Sequence, residues 1–302
     1  MIPQLNINMP LLSEFINTRQ SEKTKEAYRA DLVLFKTWLN QRGIPIPELK
    51  PADIMLYRAW LASKCSKLSV NRRLATVKSY IRFCVSNGVL ERNAAESVNG
   101  MPQDEYTATV AASNGEVCSM LECIDLNTST GLMHSALLHC LFYLGLRREE
   151  CIRLKVSDLS LDGTTSIVTV NGKGNKRRTL PLPVEVINSL KKYLYARSKG
   201  EGIEPNEPIF VSTASNRKEI VALSPSSIAK IVRTYKTKAG IEKRITPHSA
   251  RATAVTNALE NGATVIQVQA MGGWSSLDMV LRYEKRRTLL KNSAVFAVNY
   301  KK

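Results

Sequence analysis

The stretch 246-TPHSARATAV-255 places a histidine and an arginine where a helix is predicted to begin. Thr246 is a suitable N-cap, and Pro247 then falls at the first helical position, where its missing N–H does no harm. Arg251 lies three positions after His248, so the two residues share the first turn. The free N–H groups and the positive end of the helix dipole suit this turn to an anion such as a phosphate. The alternative is a histidine that packs at the helix end beside a solvated arginine.

A second arginine lies at a predicted junction between helices, in 143-YLGLRREECIRLKVSDL. Gly145 is expected to end an apolar helix that begins near Leu132, and a new helix is expected to open around Arg148. Arg147 would then be held at a tight turn between two buried helices. A surface arginine beside a C-cap glycine is the common alternative, and the adjacent Arg148 is the rival to Arg147.

The segment 271-MGGWSSLDMVLRYEKRR contains a tyrosine next to several basic residues. The two glycines are expected to end one helix, and Ser275 or Ser276 can cap the next, which would carry Tyr283. A phenol titrates near pH 10, so a nucleophilic tyrosine requires neighbouring cations and a base that removes its proton. Core packing is the usual alternative for such a side chain.

Between these segments, 165-TSIVTVNGKGNKRRTLPLP-183 is predicted to form a β-hairpin with a basic tip. The tip, residues 171–176, contains Lys173 and Lys176. Such a tip is either an ordinary solvated turn or a loop that follows a groove of nucleic acid.

Composition favours nucleic acid as the partner. The chain has 302 residues and a formal net charge of +17 at pH 7, which allows about two domains and makes DNA or RNA the first partner to test. A basic proteome and an anionic membrane surface are the alternatives. No membrane-spanning segment or signal peptide is expected, because no run of 18 apolar residues occurs and the N-terminus lacks a basic region before an apolar one.

The remaining cysteines and histidines favour neither disulfides nor metal binding. The six cysteines lie inside apolar helical patterns without any C-x-x-C pair, so they are expected to be reduced core residues. His134 and His139 lie in a strongly apolar helix and are expected to be semi-buried with satisfied ring nitrogens. No metal site is therefore expected.

The first hundred residues read almost entirely as helix, with candidate helices at 11–20, 22–42, 51–65 and 69–86. Ser69 is the predicted N-cap of the last of these. Its polar positions include Arg72, Arg73 and Lys78, which either contact phosphates or form a solvated face. After Ala94 the helical period dissolves, which predicts a helical domain over 1–97, a linker over 98–113 and a second domain over 114–302.

The order of these motifs resembles that of the tyrosine recombinase (phage integrase) family. The resemblance rests on Arg147 in GLRREE, Lys173 in NGKGNKR, His248 and Arg251 in HSAR, Trp274 after two glycines, and Tyr283 nine residues later. It covers nearly the whole chain and points to a simple recombinase of the Cre-like or Xer-like type. Many relatives have histidine at the position of Trp274, whose indole donates one hydrogen bond but cannot transfer a proton.

The resemblance implies a role for each matched residue. Arg147 and Arg251 would bind the nonbridging oxygens of the scissile phosphate, and Tyr283 would attack it to give a 3′-phosphotyrosyl enzyme. Lys173, with Lys176 as its rival, would protonate the leaving 5′-oxygen, and His248 would assist proton transfer. Trp274 would complete the catalytic set as a donor to a phosphate oxygen, and Glu150 would orient active-site groups in a supporting role. No cofactor, metal or ATP is implied.

The family also implies an architecture and a partner. The expected fold is mainly α, with an N-terminal helical core DNA-binding domain and a mixed α+β catalytic domain that form a C-shaped clamp around DNA. The implied partners are double-stranded DNA with inverted-repeat core sites and, as a homotetramer on two sites, further copies of the chain, with a role left open for accessory proteins. The tail 288–302 would dock on a neighbouring subunit, and the location would be the cytoplasm, at the nucleoid.

Two other functions use similar features. A type IB topoisomerase would use the same chemistry to relax supercoils, and a degenerate family member would bind DNA as an accessory protein without cutting it. The filled catalytic positions disfavour the accessory protein, and the compact helical N-terminal region and the tail favour recombination.

Overall fold

The structure is a computed structural model that describes residues 8–102, 109–161, 165–172, 176–212, 220–281 and 283. The chain forms two compact units, an N-terminal unit of residues 1–107 and a C-terminal unit of residues 108–302. In the described ranges, no helix is long and apolar enough to cross a membrane.

The described part of the N-terminal unit is helical. Its α-helices are α1 (Leu12–Asn17), α2 (Glu22–Arg42), α3 (Pro51–Ala62) and α4 (Lys67–Ser86). Apolar residues recur at helical spacing along α2, so that Leu32, Phe35 and Trp38 are buried on one face. The rings of Phe35 and Trp38 pack edge to face on Tyr57 of α3, with centroids 4.8 and 5.3 Å away. This aromatic cluster joins α2 to α3.

Helix α4 begins earlier than the sequence pattern predicts. The N-cap is Ser66, whose hydroxyl accepts a hydrogen bond from the Ser69 N–H, so the prediction of Ser69 as the cap was wrong. Leu68 in the first turn is exposed and so leaves no apolar signal that the helix has begun. Beyond α4, Val98 is buried in the core of the N-terminal unit, and the side chain of Asn71 pairs with the backbone of Met101. The first residues of the predicted linker therefore pack on this unit.

The C-terminal unit combines helices with a small sheet. Its α-helices are α5 (Asn114–Glu122), α6 (Ser129–Tyr143), α7 (Arg148–Arg153), α8 (Val184–Ser198), α9 (Pro225–Lys238), α10 (Pro247–Glu260) and α11 (Val265–Gly272). The strands are β1 (Leu159–Ser160), β2 (Ile167–Asn171) and β3 (Arg177–Pro181), antiparallel in the order β1-β2-β3. Strands β2 and β3 form the predicted hairpin, in which Val170 pairs with Arg178.

Helix α6 is the centre of this unit. It is apolar on nearly all sides and packs against both α8 and α10. A helix that is hydrophobic on all sides must be buried. The burial of α6 therefore fixes the position at which the chain leaves its C-terminal end. Gly145 follows α6 with a φ of +59°, which favours glycine, and the chain turns there into α7. The predicted junction between two helices is confirmed.

The cysteines and two of the histidines largely behave as predicted. All six cysteines are free, and Cys84, Cys140 and Cys151 are buried. Cys118 is exposed, so its prediction as a core residue was wrong; it lies on the outer side of the amphipathic α5. His134 is semi-buried, with Nδ1 2.9 Å from the Tyr235 hydroxyl, and the Nδ1 of semi-buried His139 lies 2.8 Å from a backbone carbonyl.

Candidate active site

The first turn of α10 has the predicted form. Thr246 is the N-cap and accepts a hydrogen bond from the Ser249 N–H at 3.1 Å, and Pro247 occupies the first helical position. The turn exposes His248 to solvent and buries Arg251, which is only 2% exposed. Partial burial, followed by the charges of Arg251 and Arg147, lowers the pKa of His248 below its usual 6.5. The imidazole is therefore neutral at physiological pH and able to accept a proton.

Two backbone turns converge on Arg251. Its Nη1 donates to the Gly145 carbonyl at 2.7 Å, and its Nη2 donates to the Gly272 carbonyl at 2.6 Å. Its guanidinium carbon lies 4.2 Å from the centre of the Trp274 ring, a cation–π distance. Burial and the nearby charge of Arg147 lower the pKa of Arg251 to about 10, which leaves it cationic at neutral pH. A buried cation is thus fixed between the end of α6 and the turn after α11.

The close approach of the Trp274 ring explains why a glycine precedes it at position 272. A Cβ on Gly272 would lie 1.9 to 2.6 Å from atoms of the Trp274 ring, so a side chain there would displace the indole. Gly273 has a φ of +62° and ends α11. The indole therefore folds back over the end of α11, where it meets Arg251.

Tyr283 lies next to Trp274. Its ring centre is 6.2 Å from that of Trp274, and the residue is 8% exposed. The helical residues 278–281 precede it, and Ser276 donates to Asp278 near the start of this segment. The ring is buried, and the charge of Arg251 interacts with the phenol.

Arg147 is held by Glu150 at the start of α7. Its N–H donates to Glu150 Oε2 at 2.8 Å, and its Nη1 donates to Oε1 at 2.7 Å, while about a third of its side chain stays exposed. Glu150 is 2% exposed. Burial alone would raise the pKa of this carboxyl, but hydrogen bonds from Arg178 and Arg147 lower it to about 2. The carboxylate is ionised and fixes the outer arginine.

Arg178 is the residue of this site that sequence reasoning missed. It lies on β3, where its side chain is 11% exposed, and it donates two hydrogen bonds to Glu150. The available signal was strand alternation: Arg178 is two residues before the buried Leu180 and so shares its face of the hairpin. A basic residue on the inner face of a strand requires a buried partner, which is a reason to single it out.

The other predicted residues lie apart from this cluster or are not described. Arg72 of the N-terminal unit forms two hydrogen bonds with Asp31, at 2.5 and 2.8 Å, and Arg73 lies 3.8 Å from the same carboxylate. Lys78 donates to the Val98 carbonyl. Lys176 is exposed beside the hairpin tip. Lys173 and the tail 288–302 lie outside the described residues, so their roles stay predictions.

The site is built from cations. Within the described residues, no group of three or more histidine, cysteine, aspartate or glutamate side chains is placed to hold a metal ion. Arg251 contacts Trp274 and interacts electrostatically with Tyr283, and the charges of Arg251 and Arg147 act on His248. Guanidinium groups bind phosphate oxygens in pairs, so this arrangement can bind a phosphodiester beside a phenol.

Comparison with known proteins gives a consistent result. Residues 113–288 match the phage integrase family, and residues 11–88 match the phage integrase N-terminal SAM-like domain. Tyrosine recombinase XerC of Myxococcus xanthus is 31% identical over 286 residues, which cover 91% of this chain and 92% of the relative. Tyrosine recombinase XerD of Pseudomonas aeruginosa is 28% identical over 281 residues, with the same coverage of 91% and 92%.

A solved structure has the same fold. The crystal structure of the XerH site-specific recombinase bound to palindromic difH substrate, a post-cleavage complex, matches with a TM-score of 0.74. The match covers 98% of this chain and 91% of that one at 15% identity, so it speaks for the fold alone. The predicted fold class, mainly helical with a small antiparallel sheet, and the predicted resemblance are confirmed. The chain belongs to the phage integrase family of tyrosine recombinases.

Proposed function

We propose that this tyrosine recombinase cuts and rejoins DNA with Tyr283 as the nucleophile and with Arg147 and Arg251 as the ligands of the scissile phosphate. The observation that carries the proposal is the position of Arg251. Its guanidinium is buried against the Trp274 ring, which in turn faces the ring of Tyr283. A guanidinium held in this position beside a phenol is placed to stabilise negative charge that develops when the phenolic oxygen attacks a phosphate.

In the proposed step, the Tyr283 oxygen bonds to phosphorus while the bond from phosphorus to the 5′-oxygen breaks. His248 accepts the phenolic proton, a role that its lowered pKa supports, and Lys173 donates a proton to the leaving oxygen, with Lys176 as the rival donor. The products are a 3′-phosphotyrosyl enzyme and a free 5′-hydroxyl. Reversal of the same steps by a 5′-hydroxyl from a second DNA strand joins the recombinant.

The two arginines would stabilise the transition state. Negative charge accumulates on the nonbridging oxygens as phosphorus becomes five-coordinate, and preorganised cations in a partly dehydrated site stabilise such charge most strongly. Arg251 is held by two carbonyls and Arg147 by one carboxylate before DNA arrives. Trp274 would add one N–H donor. The cycle uses no ATP, because the phosphotyrosyl bond conserves the energy of the broken phosphodiester.

The finer features of the proposal come from the relatives. As the family resemblance implies, we propose that this chain acts on inverted-repeat core sites. We extend this to a homotetramer on two sites that exchanges strands through a Holliday junction, with the tail 288–302 linking subunits. Arg72, Arg73 and Lys78 of the N-terminal domain (1–97) would contact the DNA. Accessory proteins are further partners to test. We extend the proposal to a location in the cytoplasm, at the nucleoid, where the DNA substrate lies.

Covalent trapping tests the proposal. Fragments from the DNA that flanks the gene, each carrying a nick that releases the cut strand, are incubated with the protein in the presence of a chelator and separated on denaturing gels. We expect an adduct with the wild type and with Tyr195→Phe, which removes an exposed phenol, and no adduct with Tyr283→Phe. Sequencing the trapped DNA identifies the site.

Each other outcome counts against a defined part. An adduct with Tyr283→Phe would reject the nucleophile. The absence of any wild-type adduct on DNA that the protein binds would reject cleavage and favour an accessory protein. Relaxation of any supercoiled plasmid without recombinant products would favour a topoisomerase.

A further inference from the structure

Arg178 lies where three segments of the C-terminal unit meet: the hairpin, the start of α7 and the end of α11. We infer that Arg178 is a positioning residue for strand cleavage, which holds Glu150 and, through it, the phosphate ligand Arg147. This inference rests on the proposed function, since it assumes that Arg147 binds the scissile phosphate. Arg178 itself is not proposed to touch DNA.

The contacts of Arg178 use three donors in a fixed geometry. Nη1 donates to Glu150 Oε1 at 3.0 Å, and Nη2 donates to Oε2 at 2.9 Å. Nε donates to the Met271 carbonyl at 2.9 Å. The planar guanidinium therefore fixes the orientation of the Glu150 carboxylate relative to the backbone of α11. A lysine at this position has one nitrogen and cannot make all three contacts at once.

Glu150 has no spare acceptor with which to adjust. Oε1 accepts from Arg147 Nη1 and Arg178 Nη1, and Oε2 accepts from the Arg147 N–H and Arg178 Nη2. Two of these four bonds come from Arg178. Without them the carboxylate keeps only the contacts to Arg147 and is free to rotate with it. Arg147, about a third exposed, keeps further N–H donors for a phosphate.

Two glycines let the backbone approach Arg178 closely. A Cβ on Gly273 would lie 3.1 Å from both Cδ and Nη1 of Arg178, and a Cβ on Gly172 would lie 3.7 Å from Nη1. The Met271 carbonyl that accepts from Arg178 precedes the Gly272 carbonyl that accepts from Arg251. The same backbone segment thus supports both arginines, one directly and one through Arg178 and Glu150.

The first test compares single-turnover cleavage rates on the trapped site at saturating protein. We expect Arg178→Met to lower the rate about 100-fold, as small misplacements of reacting groups do, with DNA affinity within about twofold of the wild type. Arg178→Lys, which keeps the charge and one donor, should lose less. The matched control is Arg197→Met, because Arg197 is equally buried and pairs with Glu207 away from the hairpin. It should cleave like the wild type.

A double-mutant comparison tests the route through Glu150. If Arg178 acts through this carboxylate, then Arg178→Met should cost at most about threefold more in a Glu150→Gln background, since coupled groups do not add. Independent, multiplying losses would overturn the inference. Where thermal melting shows that an Arg178→Met protein does not fold, Arg178→Lys replaces it in both backgrounds.

Two modified substrates separate phosphate binding from proton donation. A methylphosphonate at the cleavage position is neutral, so it depends less on Arg147, and the loss caused by Arg178→Met should shrink to about tenfold or less. A sulfur in place of the leaving 5′-oxygen needs no proton, and here the loss should stay at about 100-fold. The opposite pattern would show that Arg178 acts on the acid at the hairpin tip and would overturn the inference.

Failure of the inference is distinct from failure of the proposed function. If the wild type forms no adduct, the function fails and the variants are uninformative about cleavage. If the wild type and Arg197→Met form adducts at equal rates and Arg178→Met does as well, the function stands and the role of Arg178 is rejected.

Discussion

Within the described residues, each unit of the protein contains a buried carboxylate that accepts two hydrogen bonds from one arginine. In the N-terminal unit Asp31 of α2, 3% exposed, accepts from both terminal nitrogens of Arg72. In the C-terminal unit Glu150, 2% exposed, accepts in the same way from Arg178. Each carboxylate also has a second arginine partner. For Asp31 this partner is Arg73, and for Glu150 it is Arg147.

The Arg72–Asp31 and Arg178–Glu150 pairs differ in how far the arginine side chain is exposed to solvent. The side chain of Arg72 is 51% exposed, whereas that of Arg178 is only 11% exposed. Asp31 therefore holds its arginine directly at the surface, and Glu150 holds a buried arginine that in turn stabilises the carboxylate for the outer Arg147. Binding DNA at many points needs only cations at a surface, while cutting one bond needs a cation at one place. Under the proposed function, Arg72 would be such a surface cation, and Arg178 would be the additional buried group that fixes Arg147 at one place.

The largest expected effect is that of removing the charge of Glu150. Glu150→Gln leaves Arg178, Arg147 and the buried Arg251 without their shared counter-charge. Breaking a buried ion pair from one side costs about 3 to 5 kcal/mol, and we expect a loss of that size in the free energy of unfolding of the C-terminal unit. Urea denaturation followed by circular dichroism measures it.

The control for this variant is its neighbour. Glu149 pairs with Arg148 at the surface, so Glu149→Gln should cost about 1 kcal/mol or less. Equal losses in the two variants would show that the buried network contributes no more than a surface pair.

The same carboxylate predicts a pH dependence. Because the pKa of Glu150 falls from 4.5 to about 2 on folding, its contribution to stability is complete above pH 4.5 and is lost as the pH falls toward 2. The difference in unfolding free energy between wild type and Glu150→Gln should therefore shrink over that window. A difference that stays constant from pH 6 to pH 3 would contradict the assignment.

Local patterns made part of this site predictable from sequence. The cap at Thr246, the turn at Gly145 and the hairpin are each determined by neighbouring residues, and all three are found as predicted. They located three of the clustered side chains: His248, Arg251 and Arg147. The family resemblance then identified Glu150 as a supporting residue.

The buried networks could not be predicted in the same way. Arg178 meets a carboxylate 28 positions earlier, and Arg72 meets one 41 positions earlier, so no local period reports either pair. Arg72 was therefore interpreted only as a surface cation, and Arg178 was not singled out. The wrong prediction of Ser69 as the N-cap of α4 has a local cause. Leu68 in the first turn is exposed, so the apolar pattern does not show that the helix has already begun.

A smaller effect is expected from Asp31→Asn. Arg72 can turn toward water when it loses its partner, so we expect a loss of about 1 to 3 kcal/mol in the stability of the N-terminal unit, less than for Glu150→Gln. The released arginine is then available to a phosphate, so the slope of log K against log salt for binding random DNA should steepen by up to about 0.9.

Glu26→Gln is the control for Asp31→Asn, because Glu26 is exposed on the same helix and its loss changes the net charge equally. If the two variants bind with the same slope, the change reflects net charge alone, and Asp31 does not restrain Arg72.

The smallest expected effect concerns His248, and it measures how far the charge of the C-terminal network extends. Partial burial and the charges of Arg251 and Arg147 keep the pKa of this imidazole below 6.5. Replacing Arg147 by Met removes one of these charges, so the pKa of His248 should rise toward 6.5. Proton NMR can follow this change, because the chain has only three histidines and His248→Gln assigns the signal.

The control is Arg72→Met, which removes an equal charge from the N-terminal unit and should leave the titration of His248 unchanged. If both variants shift it equally, His248 responds to net charge, and the C-terminal arginines have no special position around it.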